Sequence, residues 1–193
     1  MDVLYKRLSS FLIKNENISK DDRELYEYAL KILIQGIVNI VITIFIGFLF
    51  NMIKECFCFF ITFFILRKFT GGLHAKKYVN CLLSSLVIML FSLFCIKYLE
   101  QNNKQILFII VVITSIIFIC FFSPLDNQNK KLSINEKKTF KYFTILFSTV
   151  FLIIVLVLIM KKSFLAYSFG MGIIIVSILL ITGKMYYLVN ICR

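Results

Sequence analysis

A thiol, an imidazole and two adjacent glycines fall within one short stretch of this chain: Arg67-Lys-Phe-Thr-Gly71-Gly72-Leu-His74-Ala-Lys-Lys-Tyr-Val-Asn-Cys81. His74 is the only histidine, and Gly71 and Gly72 are two of just seven glycines. An activated cysteine with a histidine base is the minimum set for acyl transfer through a covalent intermediate. The spacing says what geometry this needs. On one continuous helix His74 and Cys81 would share a face but stand about 10 Å apart along the axis, too far for proton transfer. If His74 sits on the Gly-Gly turn and Cys81 in the first turns of the next helix, the chain folds back and brings them together. A helix N-terminus and a nearby imidazolium both favour the thiolate, and Lys76 and Lys77 add positive potential. Backbone N–H groups of the turn or the helix start would receive the oxyanion. The competing reading is plainer: a histidine in a basic loop is polar surface, and a cysteine at the edge of an apolar run is packing. Geometry decides between the two.

The elements that must hold this stretch are hydrophobic helices. The chain has 193 residues, 60% hydrophobic, with a mean hydropathy of +0.91. Soluble domains are about 45–50% apolar. Here the excess is concentrated in long runs, and inside a bilayer such runs must pair their own backbone groups as helices. A barrel would need polar and apolar residues to alternate, which the run Ile145–Met160 does not do. The expected fold is an all-α integral membrane protein with about six transmembrane helices and N-terminal amphipathic helices. The net charge of +12 sits between the apolar runs, so basic loops at a membrane face, not nucleic acid, account for it.

The expected layout is a single membrane domain over 1–193. It comprises an interfacial segment 1–31, a membrane region 32–182 and a cytoplasmic tail 183–193. In the first segment Leu4, Leu8, Phe11 and Leu12 share a helical face, and Ser19 with Asp21 and Asp22 marks a second helix start. No cleavable signal is evident, so the first span is expected to anchor. Expected spans are 32–52, 53–66, 81–98, 106–122, 142–160 and 164–182. The second has few residues for a crossing and needs Lys54, Arg67 and Lys68 to snorkel, or is re-entrant. The regions between spans hold, alternately, 17 and 5 of the 22 Lys and Arg residues. The positive-inside rule then puts both termini, the 67–80 loop and the 123–141 loop in the cytoplasm. Pro124 stops the fourth helix. Six cysteines, five of them within or at the edges of apolar runs, do not make a disulfide scaffold. Cys56 and Cys58 have only Glu55 as an acidic neighbour and read as packing, so no metal and no cofactor is expected.

The pattern Arg67-x-x-x-Gly71-Gly72-x-His74-Ala75, followed by Cys81, resembles the signature of the accessory gene regulator B (AgrB) family, membrane cysteine endopeptidases of Gram-positive quorum sensing. The resemblance takes in the basic N-terminal segment, the number and order of spans, and the loop Ser123-Pro124-Leu125-Asp126. It implies that His74 and Cys81 are the catalytic pair. It also implies a small AgrD-like precursor peptide as substrate, docked at the cytoplasmic membrane face. The enzyme would remove the precursor's C-terminal part, and a side chain of the peptide would resolve the acyl-enzyme into a thiolactone or lactone. Self-association, as a dimer, is a further implication. Asp126 would either orient His74, as acids do in triads, or serve as a turn former after Pro124. Arg67, Gly71 and Gly72 would shape the site. Lys68, Lys76 and Lys77 would attract an acidic substrate tail or simply mark the cytoplasmic side.

Two other functions compete. Transporter sites show ionisable residues mid-membrane or interrupted helices, whereas these spans hold few such groups, among them Gln35, Asn39 and, near an end, Lys97. A non-catalytic scaffold that anchors a peptide would lack a reactive cysteine.

Overall fold

A computed structural model describes residues 23–71, 78–102, 104–125 and 133–191. These form α1 (Arg23–Leu49), α2 (Ile53–Thr70), α3 (Tyr78–Asn102), α4 (Gln105–Phe122), α5 (Ile134–Met160) and α6 (Leu165–Ile191). Among the described residues there is no β-strand, only one isolated bridge between Gly71 and Leu125. The chain divides into two units between Ile42 and Thr43, inside α1. In the first unit, Leu33, Ile37, Ile40 and Val41 are exposed apolar side chains.

The second unit is a bundle arranged around α6, which packs against α2, α3, α4 and α5. Over its apolar span 61% of α6 is buried, against 22–28% for α3, α4 and α5, so α6 is the interior helix. Its sequence suits that place. Lipid tails are as apolar as leucine, so helices associate in membranes by close packing of small residues. Gly170 and Gly172 stand two apart, on opposite faces of α6. A Cβ on Gly170 would run into the Phe108 ring of α4, and one on Gly172 would lie 2.8 Å from Thr62 Cβ of α2. Ala166, Ser168 and Ser177 are buried on the same helix.

The outer helices each turn a narrow strip inward. In α2 this is Cys56, Phe59, Thr62, Leu66 and Thr70; in α4 it is Phe108, Val112, Ser115, Ile116 and Ile119. Their other faces carry large exposed apolar groups such as Phe94, Phe121 and Met160, 73%, 78% and 84% exposed. Such surfaces are untenable in water and are what lipid solvates. Hydroxyl groups bond to their own helices where no water is at hand: Thr62 to the Cys58 carbonyl, Ser92 to Ile88 and Ser177 to Ile174. With its four long apolar helices (82–102, 105–122, 134–160 and 165–185), the chain is a membrane protein.

Two hairpin turns share one design. After α1, Asn51 takes φ 55°, Met52 N–H donates to the Gly47 carbonyl (2.8 Å) and Asn51 N–H to Phe48 (3.2 Å). After α5, Lys162 takes φ 53°, Ser163 N–H donates to Leu158 (2.9 Å) and Lys162 N–H to Ile159 (2.9 Å). Both are Schellman closures, which satisfy the last carbonyls of a helix and reverse the chain. Cys56 packs under the first turn, with Gly47 close enough that a Cβ there would meet the thiol sulfur at 3.3 Å.

Helix limits differ from the expected spans in instructive ways. α1 runs unbroken from Arg23, so the segment read as a second interfacial helix and the first apolar run are one helix. α5 starts at Ile134, well before the expected Tyr142. A capping box explains this: Ser133 Oγ accepts from Glu136 N–H (3.2 Å), and Glu136 Oε2 accepts from Ser133 N–H (2.8 Å). α6 continues to Ile191 through what was expected to be a tail. α2 reaches Thr70 but falls short of the four apolar helices. Lys54, Glu55, Arg67 and Lys68 leave an apolar middle of about 16 Å by helical rise, against a hydrocarbon core of about 30 Å.

Candidate active site

The glycine turn begins where α2 ends. Gly71 is the residue after the last turn and takes φ 72°, a left-handed conformation that side chains disfavour. It lies directly against the segment that follows α4. Leu125 N–H donates to the Thr70 carbonyl (3.0 Å), and the backbones of Gly71 and Leu125 pair as an isolated parallel bridge. A Cβ on Gly71 would lie 2.5 Å from the Leu125 carbonyl oxygen. Both the dihedral and the approach therefore require glycine here.

Two sets of contacts fix this junction. Ser123 N–H donates to the Ile119 carbonyl, which closes α4 (3.0 Å), and Ser123 Oγ donates to Thr144 Oγ1 of α5 (3.1 Å). Thr144 is fully buried and in turn donates to the Phe140 carbonyl (2.9 Å). On the other side, Phe69 at the end of α2 stacks on Phe143 and Phe147 of α5, both at 5.2 Å between centroids, and tilts against Phe140. Lys184 of α6 sits over the Phe122 ring of α4 at 4.0 Å, a cation–π contact at the same end of the bundle. The ends of α2 and α4, the start of α5 and the Lys184 turn of α6 thus meet, and there Thr70 and Gly71 touch Leu125.

Of the residues expected in the site, Arg67 is half-buried on α2, one turn before Gly71. Cys81 lies on the backbone of the first turn of α3, three residues after its start at Tyr78. A first turn carries N–H groups without intrahelical partners, together with the positive end of the helix dipole. Gly72, His74 and Asp126, with Lys76 and Lys77, lie outside the described residues, as does the Cys81 side chain. His74 follows Gly71 by three residues, a length of chain that spans at most about 11 Å. Cys56, Cys58, Cys95 and Cys120 are free thiols placed along the helices. Among the described residues no group of three or more His, Cys, Asp and Glu gathers as a metal site would. The Ser123–Thr144 pair and the Phe69 stack carried no signal in the sequence, because each joins segments remote along the chain.

The sequence profile described as accessory gene regulator B matches residues 5–181. The chain belongs to the accessory gene regulator B family. An AgrB-like protein of Clostridium perfringens strain SM101 is 33% identical over 140 residues, 70% of this chain and 65% of that protein. A second, from Clostridium perfringens strain 13, is 32% identical over 127 residues, 63% of this chain and 59% of its own length. An AgrB-like protein of Clostridium beijerinckii is 29% identical over 147 residues, 75% and 71% of the two chains. The chain thus spans under two thirds of the two clostridial relatives named first. No solved structure matches it. Membership ties this AgrB-family chain to the accessory gene regulator quorum-sensing system, and its matched region contains the whole stretch from Arg67 to Cys81.

Proposed function

We propose that this chain is a membrane-embedded cysteine endopeptidase that cleaves a small AgrD-like precursor peptide and promotes its cyclisation into a quorum-sensing signal. The observation that carries the reading is the family match across residues 5–181, within which the chain's only histidine precedes a helix-start cysteine by seven residues. His74 takes the proton of the Cys81 thiol. The thiolate attacks the scissile carbonyl carbon, and the oxyanion that forms accepts hydrogen bonds from first-turn N–H groups of α3. The tetrahedral intermediate collapses as the imidazolium gives its proton to the leaving amine. The C-terminal part of the precursor departs, and its N-terminal part remains as a thioester on Cys81. A thiol or hydroxyl of the retained peptide then attacks that thioester. The ring closes, and Cys81 is released as a thiol. Arg67, Gly71 and Gly72 shape the turn, and Asp126, one residue beyond the Leu125 bridge, is the candidate to orient His74. Self-association as a dimer follows from the same family reading.

A transporter is disfavoured by the described residues: those wholly buried with polar side chains are mainly Ser and Thr, and the one buried charged atom, an Arg67 guanidinium nitrogen, lies at the end of α2 and not mid-membrane. The test is cleavage of a co-expressed precursor in membranes. Cys81→Ala and His74→Ala each abolish it while the protein inserts normally. Cys81→Ser leaves at most a trace, since a hydroxyl at neutral pH is a far weaker nucleophile than a thiolate. Replacement of any of the other five cysteines by Ala leaves cleavage intact. Full cleavage by Cys81→Ala would refute the assignment.

A further inference from the structure

We propose that Ser123 and Thr144 are positioning residues for the reaction, acting through the Leu125 segment to fix the backbone at Gly71 from which the chain leads to His74. This rests on the peptidase reading above, but nothing in that reading assigns these two hydroxyls a part. The sequence of contacts is continuous. Thr144 Oγ1 gives its one proton to the Phe140 carbonyl (2.9 Å), so the same oxygen is left to accept, and Ser123 Oγ donates to it at 3.1 Å. Ser123 is also held through its N–H by the Ile119 carbonyl (3.0 Å). Two residues on, Leu125 N–H holds the Thr70 carbonyl (3.0 Å), and the Leu125 carbonyl lies where a Cβ of Gly71 would stand. Ser123 is 5% exposed and Thr144 and Thr70 are fully buried, so these bonds form where water does not compete for them.

The arrangement is a strap across the mouth of the bundle, tied to α5 at one end and pressed on the end of α2 at the other. A buried hydroxyl pair is an uneconomical way merely to fill space between α4 and α5, since an alanine and a valine would do so with no polar atom to satisfy. What the pair adds is direction: two protons, each with one acceptor, set the rotation of the segment that carries Leu125. If the strap turns, Gly71 loses its bridge, and the aim of the chain toward His74 changes. Misplacement of a catalytic group by about 1 Å costs on the order of a hundredfold in rate.

The test is the reactivity of the Cys81 thiol itself, which needs no substrate. Full-length protein in lipid vesicles is treated with iodoacetamide between pH 5 and pH 9, and modification of Cys81 is followed by mass spectrometry of its peptide. A thiol paired with a positioned imidazole is alkylated well below the range of a free thiol of pKa about 8.5. Thr144→Val keeps shape and removes both bonds. Ser123→Ala removes only the donor and leaves Thr144 bonded to Phe140, so it preserves the fold if the valine variant does not. Each is expected to slow alkylation at pH 6 by roughly tenfold and move the profile toward that of a free thiol, and Thr144→Ser restores it. His74→Ala is the control for the underlying reading. If His74→Ala leaves the profile unchanged, the catalytic pair is wrong. If His74→Ala shifts it while Ser123→Ala and Thr144→Val do not, the pair stands and the strap has no positioning role. A lowered melting temperature with an unchanged Cys81 profile also overturns the proposal.

Discussion

At the scale of single residues, the account turns on the end of α2. Gly71 has a positive φ and a carbonyl oxygen where its Cβ would be, so two independent costs oppose any side chain. With φ 72° and ψ −155° Gly71 lies in a region that is essentially reserved for glycine and costs an L-residue about 1–3 kcal/mol, and the Leu125 carbonyl must shift besides. Gly71→Ala is therefore expected to reduce precursor cleavage by at least tenfold while the amount of inserted protein stays near that of the parent; cleavage at the parental rate would show that the bridge does not govern the turn. The need for glycine was legible from the Gly-Gly pair beside the lone histidine. What it packs against was not, because Leu125 approaches through a tertiary contact between segments remote in sequence. The same limit hid the Ser123–Thr144 bond. Ser123 stood out only as part of a loop that resembles the AgrB family, and Thr144 looked like one more hydroxyl in an apolar run.

At the scale of elements, the six helices among the described residues roughly fit the six expected spans, and their ends were less legible. Apolar runs in a bilayer leave the backbone no option but the helix, so hydrophobicity alone locates the bodies. Ends depend on local chemistry that a hydropathy reading passes over. The Ser133–Glu136 box extends α5 into a lysine-rich stretch that reads as loop, and Lys162 adopts a turn conformation usually filled by glycine. Which helix lies at the centre was not legible at all. Gly170 and Gly172 are the cue in retrospect, since each lets a different neighbour approach α6. Gly172→Val is expected to destabilise the bundle by about 1–3 kcal/mol or more, the range for overpacking a close-packed interior. A lowered melting temperature in detergent checks this, and Gly36→Val, where nothing lies near the Cβ position, provides the comparison. Equal effects of the two would mean that α6 is not packed as described.

At the scale of the whole molecule, charge and connectivity agree on two ends. Arg67, Lys68, Lys137, Lys138, Lys141 and Lys184 lie toward the helix ends that meet at Gly71 and Leu125, while Lys54, Lys97, Lys104, Lys161 and Lys162 lie toward the opposite ends. The proposed function requires the first of these ends to face the cytoplasm, where the positive-inside rule puts it. Single cysteines introduced at Lys104 and Lys162 are expected to react with a membrane-impermeant maleimide added outside intact cells, and those at Lys77 and Lys130 only after permeabilisation. External labelling at Lys77 would remove both the topology and the access of a cytoplasmic precursor to the site.

The central claim, that Cys81 forms an acyl-enzyme with a precursor peptide, has one direct measurement. The chain is expressed with a precursor whose cyclising Cys or Ser has been changed to Ala, so that only water remains to resolve the intermediate, and the protein is analysed intact and after digestion under mildly acidic conditions. The account predicts a hydroxylamine-sensitive mass increase equal to the precursor's N-terminal part, borne by the peptide containing Cys81 and absent from Cys81→Ala and His74→Ala. An adduct on another cysteine, or cleavage of the precursor that proceeds at the parental rate in Cys81→Ala, would contradict it.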